Sequence, residues 1–265
     1  MEVHDAHCHY QFAEVPSAAV ELARSEGVSY AVINGSSPED WADVAALAVR
    51  DPRNLPSFGL HPWDVPTAPA GWLAELRRVL LAHPGAGVGE MGLDRWVEGF
   101  DPVAQEAAFR AQLALAVELD RPLTIHCVRA IGPLMDILRA TERPRRGFLL
   151  HSWNGPVELV LELARLGAYF SFSAHHFPER KAHLREQFAA AIPRERVLVE
   201  TDAPALCPAP AYRVHELPPA ADGTPQNHPA NLLRNLGELA STMGVEPEQA
   251  AATTRANFTR LFLGT

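Results

Sequence analysis

Residues 2–10 read Glu2-Val3-His4-Asp5-Ala6-His7-Cys8-His9-Tyr10, a strand-like run closing on two histidines. On an extended strand that spacing puts His7 and His9 side by side on one face, with Cys8 on the other. The pattern recurs along the chain. Short apolar runs also end at Glu90 in Gly89-Glu90-Met91-Gly92-Leu93-Asp94, at His126 in Ile125-His126-Cys127, at His151 in His151-Ser152-Trp153, and at Asp202 in Glu200-Thr201-Asp202-Ala203-Pro204. The apolar runs predict eight strands, at 2–9, 29–34, 55–60, 86–91, 122–126, 147–151, 168–173 and 196–201. Amphipathic stretches at 18–25, 38–49, 72–82, 102–119, 132–140, 157–166 and 179–191 predict the helices between them. Strand starts recur about every 20–35 residues, the repeat of parallel strands joined by helices.

Eight such units in 265 residues predict an α/β fold, a (β/α)8 TIM barrel, as a single domain over 1–265. The competing open, doubly wound sheet would carry a glycine-rich GxGxxG turn after the first strand. This chain has His7-Cys8-His9-Tyr10-Gln11-Phe12 there instead. Boundary signals agree with the count. Ser37-Pro38 and Asp101-Pro102 each place a capping residue before a proline at the first helical position, and Gly27, Gly167 and Gly244 fall where helices should stop. Residues 207–227 read as a long loop, followed by closing helices at 229–243 and 247–262.

Composition narrows the function. The net charge of −9 argues against a broad grip on duplex nucleic acid, although bound dications would still allow a phosphate substrate. No apolar run is long enough to span a membrane, and the first residues do not resemble a signal peptide, so a cytoplasmic location is expected. Cys8, Cys127 and Cys207 cannot all pair and form no CxxC motif; they read as small buried residues.

On a barrel of this type active sites lie at the C-terminal ends of the strands, so His7, His9, His61, Glu90, His126, His151 and Asp202 should share one mouth. Four imidazoles and two carboxylates there make a ligand set for two divalent metals, and burying them without a metal would be costly. Glu90 has two oxygens and can bridge the pair. His7 and His9 suit the first metal, His126 and His151 the second. Asp202, beside the first strand, can ligate and also act as the general base toward an attacking water. Nitrogen and oxygen ligands suit Zn, Mn, Co or Ni, and Mg less well.

The motifs together resemble the TatD family of metal-dependent hydrolases, within the amidohydrolase-like barrels. The likeness runs from Asp5 to Phe262. It includes Gly59-Leu60-His61-Pro62, the helix residues Gln105, Phe109, Gln112 and Leu113, and the closing Asn257-to-Phe262 segment. The resemblance implies His7, His9, Glu90, His126, His151 and Asp202 as metal ligands, and metal-dependent deoxyribonuclease chemistry. Short or single-stranded DNA, or another phosphate ester, is the implied substrate; no membrane or obligate protein partner is expected. Departures from the family pattern fall around the site: Val128 where an arginine is usual, with Arg129 following; Asn227-His228-Pro229 for Asn-Glu-Pro; and Trp153-Asn154 for Phe-Ser. They bear on substrate preference.

His61 is expected to contact the scissile phosphate, with Arg129 and Arg95 as further phosphate contacts. Trp63, Trp96 and Trp153 lie just past strand ends, where they can stack nucleobases or cover the mouth. His175 and His176 read as a solvated loop. The alternative activity is a metal-dependent esterase or deacylase, for example on aminoacyl-tRNA, because a metal cage alone does not choose between carbon and phosphorus. A bridging carboxylated lysine is excluded, since the only lysine, Lys181, is not at the fourth strand end.

Overall fold

A computed structural model describes residues 1–264. The strands are β1 (Val3–Cys8), β2 (Val28–Asn34), β3 (Asn54–Phe58), β4 (Gly87–Asp94), β5 (Leu123–Val128), β6 (Phe148–Leu150), β7 (Ala168–Phe172) and β8 (Val197–Val199). They pair in chain order, each parallel to the next, as the βα repeat predicts. The helices are α1 (Ser17–Glu26), α2 (Trp41–Arg50), α3 (Trp72–Ala82), α4 (Pro102–Leu119), α5 (Ile131–Ala140), α6 (Val160–Arg165), α7 (Ala182–Ala190), α8 (Leu232–Met243) and α9 (Pro247–Phe258). The fold is the expected (β/α)8 TIM barrel. No helix among the described residues is long and apolar enough to cross a membrane.

One core lies between strands and helices; a second, smaller one gathers Ala6, Val32, Leu149, Tyr169 and Leu198 around Phe258, Leu261 and Phe262. Asn257 anchors the closing segment by donating to the carbonyls of Arg194 (2.8 Å) and Val197 (2.7 Å). Asp101 caps α4 as expected, accepting from the amides of Val103 and Ala104. The expected Ser37-Pro38 cap is not one. α2 starts at Trp41, and Asp40 turns its carboxylate back to the amides of Ser36 and Ser37, which holds the preceding segment as a turn.

The seam between β1 and β8 closes at the mouth. The Asp202 amide donates to the His7 carbonyl (2.9 Å) and the His9 amide to the Ala203 carbonyl (2.7 Å). Asp5, fully buried, accepts from the Thr201 amide (2.9 Å) and hydroxyl (2.5 Å) across the same seam. Asn227 ties the following loop to the Thr201 carbonyl (2.8 Å). These bonds hold Asp202 beside the two histidines of β1.

β4 departs from its sequence reading. It runs on to Asp94, so Glu90 does not close it. Val88 pairs with Leu123 and Met91 with Ile125, leaving Gly89 and Glu90 opposite the single Thr124. A bulge of this kind re-aims a side chain. Gly89 suits it, because a Cβ there would press on Thr124.

Candidate metal centre

The seven histidine and carboxylate side chains expected at the mouth lie together. His7 Nε2 and His9 Nε2 are 3.1 Å apart. Asp202 Oδ1 is 3.2 Å from the first and 3.4 Å from the second. Glu90 Oε2 is 3.3 Å and 3.2 Å from the same two nitrogens. The other oxygen, Glu90 Oε1, faces a second group: His126 Nδ1 at 2.9 Å, His151 Nε2 at 3.0 Å and His61 Nε2 at 3.5 Å. One carboxylate thus faces two separate sets of nitrogens.

These separations suit metal ligation. Four ligands about 2.0–2.1 Å from a tetrahedral ion lie about 3.3 Å from one another. The backs of two rings decide which nitrogens face inward. His9 Nδ1 must donate to the Asn34 carbonyl (2.7 Å), which leaves its Nε2 a bare lone pair. His126 Nε2 donates to Asp94 Oδ2 (2.9 Å), which leaves Nδ1 bare toward Glu90 and His151. Lone pairs converging on carboxylate oxygens require a cation between them, either protons or metal. Three groups can hold an ion: His7, His9 and Asp202; His7, Glu90 and His151; and His61, Glu90 and His126.

The electrostatics point the same way. Burial pushes the Glu90 carboxyl up, but His151, His7 and His61 outweigh it and hold it well below the usual range. Asp202 is also lowered: its hydrogen bonds with His7 and His9 overcome the effect of burial. His9, despite burial, rises to about 10 through Asp202 and Glu90. Without metal the His7, His9, His126 and His151 rings, all raised, favour protons that an incoming dication must displace, whereas burial lowers His61.

His61 lies in the wall of this cluster, 7% exposed, and its Nδ1 accepts from the Trp63 amide (3.2 Å). From α4, Gln112 bonds both the amide (2.7 Å) and the carbonyl (3.1 Å) of Leu60, which fixes the loop that carries His61. The mouth is a cavity of about 360 Å³ lined by His61, Trp63, Asp64, Phe12 and the histidine–carboxylate cluster. Asp64, half-buried there, is pushed up to about 6 by burial and by Asp40, Glu39 and Glu90. An adjoining groove of about 780 Å³ shares Phe12, Pro204 and Ala205 with it.

Several rim residues differ from their sequence reading. Trp153 does not cover the mouth: it is 3% exposed and its indole donates to Gln187 (2.8 Å). His176 is not solvated but fully buried, donating from Nε2 to the Trp153 carbonyl (2.8 Å). His175 is only half-buried and accepts from Lys181 Nζ (3.1 Å). His228 caps the turn before α8, accepting from the Ala230 amide (3.0 Å). Cys8 is buried, but Cys127 and Cys207 are only partly so, and Cys207 lines the groove. Trp63 and Trp96 are exposed, and Arg129 lies over the Trp96 ring at 4.0 Å. Arg95 reaches Glu106 at 3.5 Å.

Two carboxylates behind the cluster were missed by sequence reasoning. Asp94 holds His126 and accepts from the Trp63 indole (2.8 Å); Glu200 accepts from the Ser152 amide (2.8 Å) and hydroxyl (2.6 Å), 3.6 Å from His151 Nδ1. Both stand inside the strand-end motifs that carry Glu90 and Asp202, and that proximity was the available signal.

Comparison with known proteins agrees with this architecture. Residues 4–263 match the TatD-related DNase family. The 3'-5' ssDNA/RNA exonuclease TatD of Enterobacter lignolyticus is 31% identical over 256 residues, covering 95% of this chain and 94% of that protein. The protein of the same name from Klebsiella pneumoniae is 33% identical over 254 residues, covering 95% and 93%. The crystal structure of YJJV, a TatD homologue from Escherichia coli, superposes with a TM-score of 0.88 at 25% identity, covering 98% of each chain. A TatD-family hydrolase from Entamoeba histolytica shares the fold, with a TM-score of 0.85 at 16% identity over 100% and 99% of the two chains.

Proposed function

The chain belongs to the TatD-related DNase family, and from that premise we propose that it is a two-metal phosphodiesterase removing nucleotides from the 3′ end of single-stranded DNA or RNA. The observation that carries this reading is the placement of Glu90, whose two oxygens face the His7/His9 pair and the His126/His151/His61 group. His7, His9 and Asp202 would hold one ion, His126 and His151 the other, with Glu90 between them; Zn, Mn, Co and Ni fit this donor set better than Mg. When bound, the ions supply Lewis-acid charge against that developing on a phosphodiester, and they lower the pKa of water.

The protein's own groups do the rest. Asp202 is the general base. Its contacts with His7 and His9 run through Oδ1, and its lowered pKa keeps it ionised at neutral pH, the form a base requires. Asp94 fixes the His126 ring with Nδ1 toward Glu90. His61, held by Gln112 and the Trp63 amide, borders the position of the phosphate. Arg129 is the second phosphate contact. It lines a pocket of about 240 Å³ beside His151, where its guanidinium lies over the Trp96 ring and forms no ion pair among the described residues. The 360 Å³ cavity is of a size for one small ligand, and the groove beside it gives the rest of a strand a path. Residues 1–265 act as one unit in this reading, and a cytoplasmic location belongs to the same proposal.

The test is a metal-loaded preparation given single-stranded DNA labelled at either end and, in parallel, a carboxylic ester. Nucleotide release from the 3′ end that stops with a chelator and returns with metal is expected. Brisk ester cleavage with background phosphodiesterase would replace this reading with the deacylase one.

A further inference from the structure

We propose that the Trp63 indole is the platform on which the base of the substrate's terminal nucleotide stacks, an inference that rests on the nuclease reading above. Trp63 is 57% exposed yet lines the same cavity as Glu90, His126 and Asp202. Its polar atom is not turned to water. The indole N–H donates inward to Asp94 Oδ2 (2.8 Å), the oxygen that also receives His126 Nε2 (2.9 Å). Its backbone amide donates to His61 Nδ1 (3.2 Å). An exposed tryptophan pinned at ring and backbone is ordered before any ligand arrives, so stacking on it costs little side-chain entropy.

The other aromatic groups at the mouth are engaged. Phe12 stacks on His9 with the rings 14° apart, Trp96 carries Arg129, and Trp153 is buried. Trp63 meets its ring neighbours edge-on, His61 at 85° and His126 at 70°, and none of its ring contacts among the described residues is a stacked one. Every nucleobase has a π-face, so such a platform grips a terminal base without reading its identity. It also accounts for how an acidic protein can hold a strand: the grip is aromatic and local, not a basic stripe.

The experiment compares two single strands, one with thymine at the 3′-terminal nucleotide and one with an abasic tetrahydrofuran residue there. Both are given to the wild-type protein, Trp63→Ala and Trp63→Phe, all metal-loaded. The readout is the ratio of kcat/KM on the base-bearing strand to that on the abasic strand, which cancels any general harm from leaving Asp94 short of one donor. Wild type should favour the base-bearing strand by about ten-fold or more, Trp63→Ala should bring the ratio near one, and Trp63→Phe should keep most of it. A ratio unchanged in Trp63→Ala would overturn the proposal. Titration of a phosphorothioate strand followed by tryptophan fluorescence reads the platform without turnover. Quenching in wild type that vanishes in Trp63→Phe supports it, and equal quenching in both overturns it. Failure of wild type to cleave either strand would refute the nuclease reading, and the fluorescence titration would still decide on Trp63.

Discussion

Asp94 Oδ2 lies 2.9 Å from His126 Nε2, and this bond determines which nitrogen His126 turns toward Glu90. Asp94 is 1% exposed and accepts further bonds from the Trp63 indole (2.8 Å) and the Trp96 amide (2.6 Å). Burial pushes its carboxyl up, but the bonds from His126, Trp96 and Trp63 bring it down to about 2. It therefore stays ionised throughout the working range of pH. Replacing it with asparagine keeps the size and removes the charge that orients the ring. Partners of this kind typically change metal affinity by about 10–100-fold. Asp94→Asn is expected to weaken metal binding to that extent in competition with a chromophoric chelator. Unchanged affinity would remove Asp94 from the account of the site.

Glu90 and Asp202 should separate by phenotype. Glu90→Gln loses the oxygen charge that both nitrogen groups face, so bound metal and hydrolysis should disappear together. Asp202→Asn should retain metal at raised concentration while kcat falls by about 10²–10⁴, the usual range for loss of a general base. Elemental analysis beside a turnover assay distinguishes the two. Near-normal turnover by Asp202→Asn with metal restored would mean that another group takes the proton.

Gly92 should tolerate no side chain. A Cβ there would run into the His126 carbonyl oxygen, a backbone atom with nowhere to move between paired strands. Gly92→Ala is expected to lower both the unfolding midpoint and metal retention, since β4 and β5 carry Glu90 and His126. An alanine variant with normal stability and full metal content would contradict this packing.

His175 lies outside the proposed ligand set and gives a pH dependence of its own, to which the charge of His151 adds only a smaller part. Burial, then the charges of His176 and Lys181, lower it from the ordinary 6.5 to about 4. The fold therefore favours the neutral ring. Its contribution is complete above about pH 6.5 and is lost as pH falls toward 4, at most about 3 kcal/mol. His176, also lowered by burial, acts in the same direction. Urea unfolding at pH 7 and pH 5 should show a smaller acid loss in His175→Gln than in the wild type. Equal losses would mean that His175 titrates in the folded protein as it does in the unfolded chain.

Much of the architecture was legible in the chain itself. Eight apolar runs alternating with amphipathic stretches carry the strand and helix periods locally, and the rule that strand ends share one mouth gathers His7, His9, His61, Glu90, His126, His151 and Asp202. Local pattern does not carry register or cross-chain distance. The two-against-one bulge opposite Thr124 directs Glu90 inward, and only the pairing of β4 with β5 reveals it. The same extension of β4 brings Asp94 behind His126. Trp153 and His176 are both polar-tipped and both just past strand ends, so Trp153 reads as a mouth residue and His176 as part of a solvated loop. They are buried because Gln187 on α7 and the Trp153 carbonyl satisfy their N–H groups away from water. Sequence determined which residues reach the barrel mouth, because strand and helix periods are local; the tertiary structure decided which atoms face one another, because that depends on pairing between segments far apart in the chain.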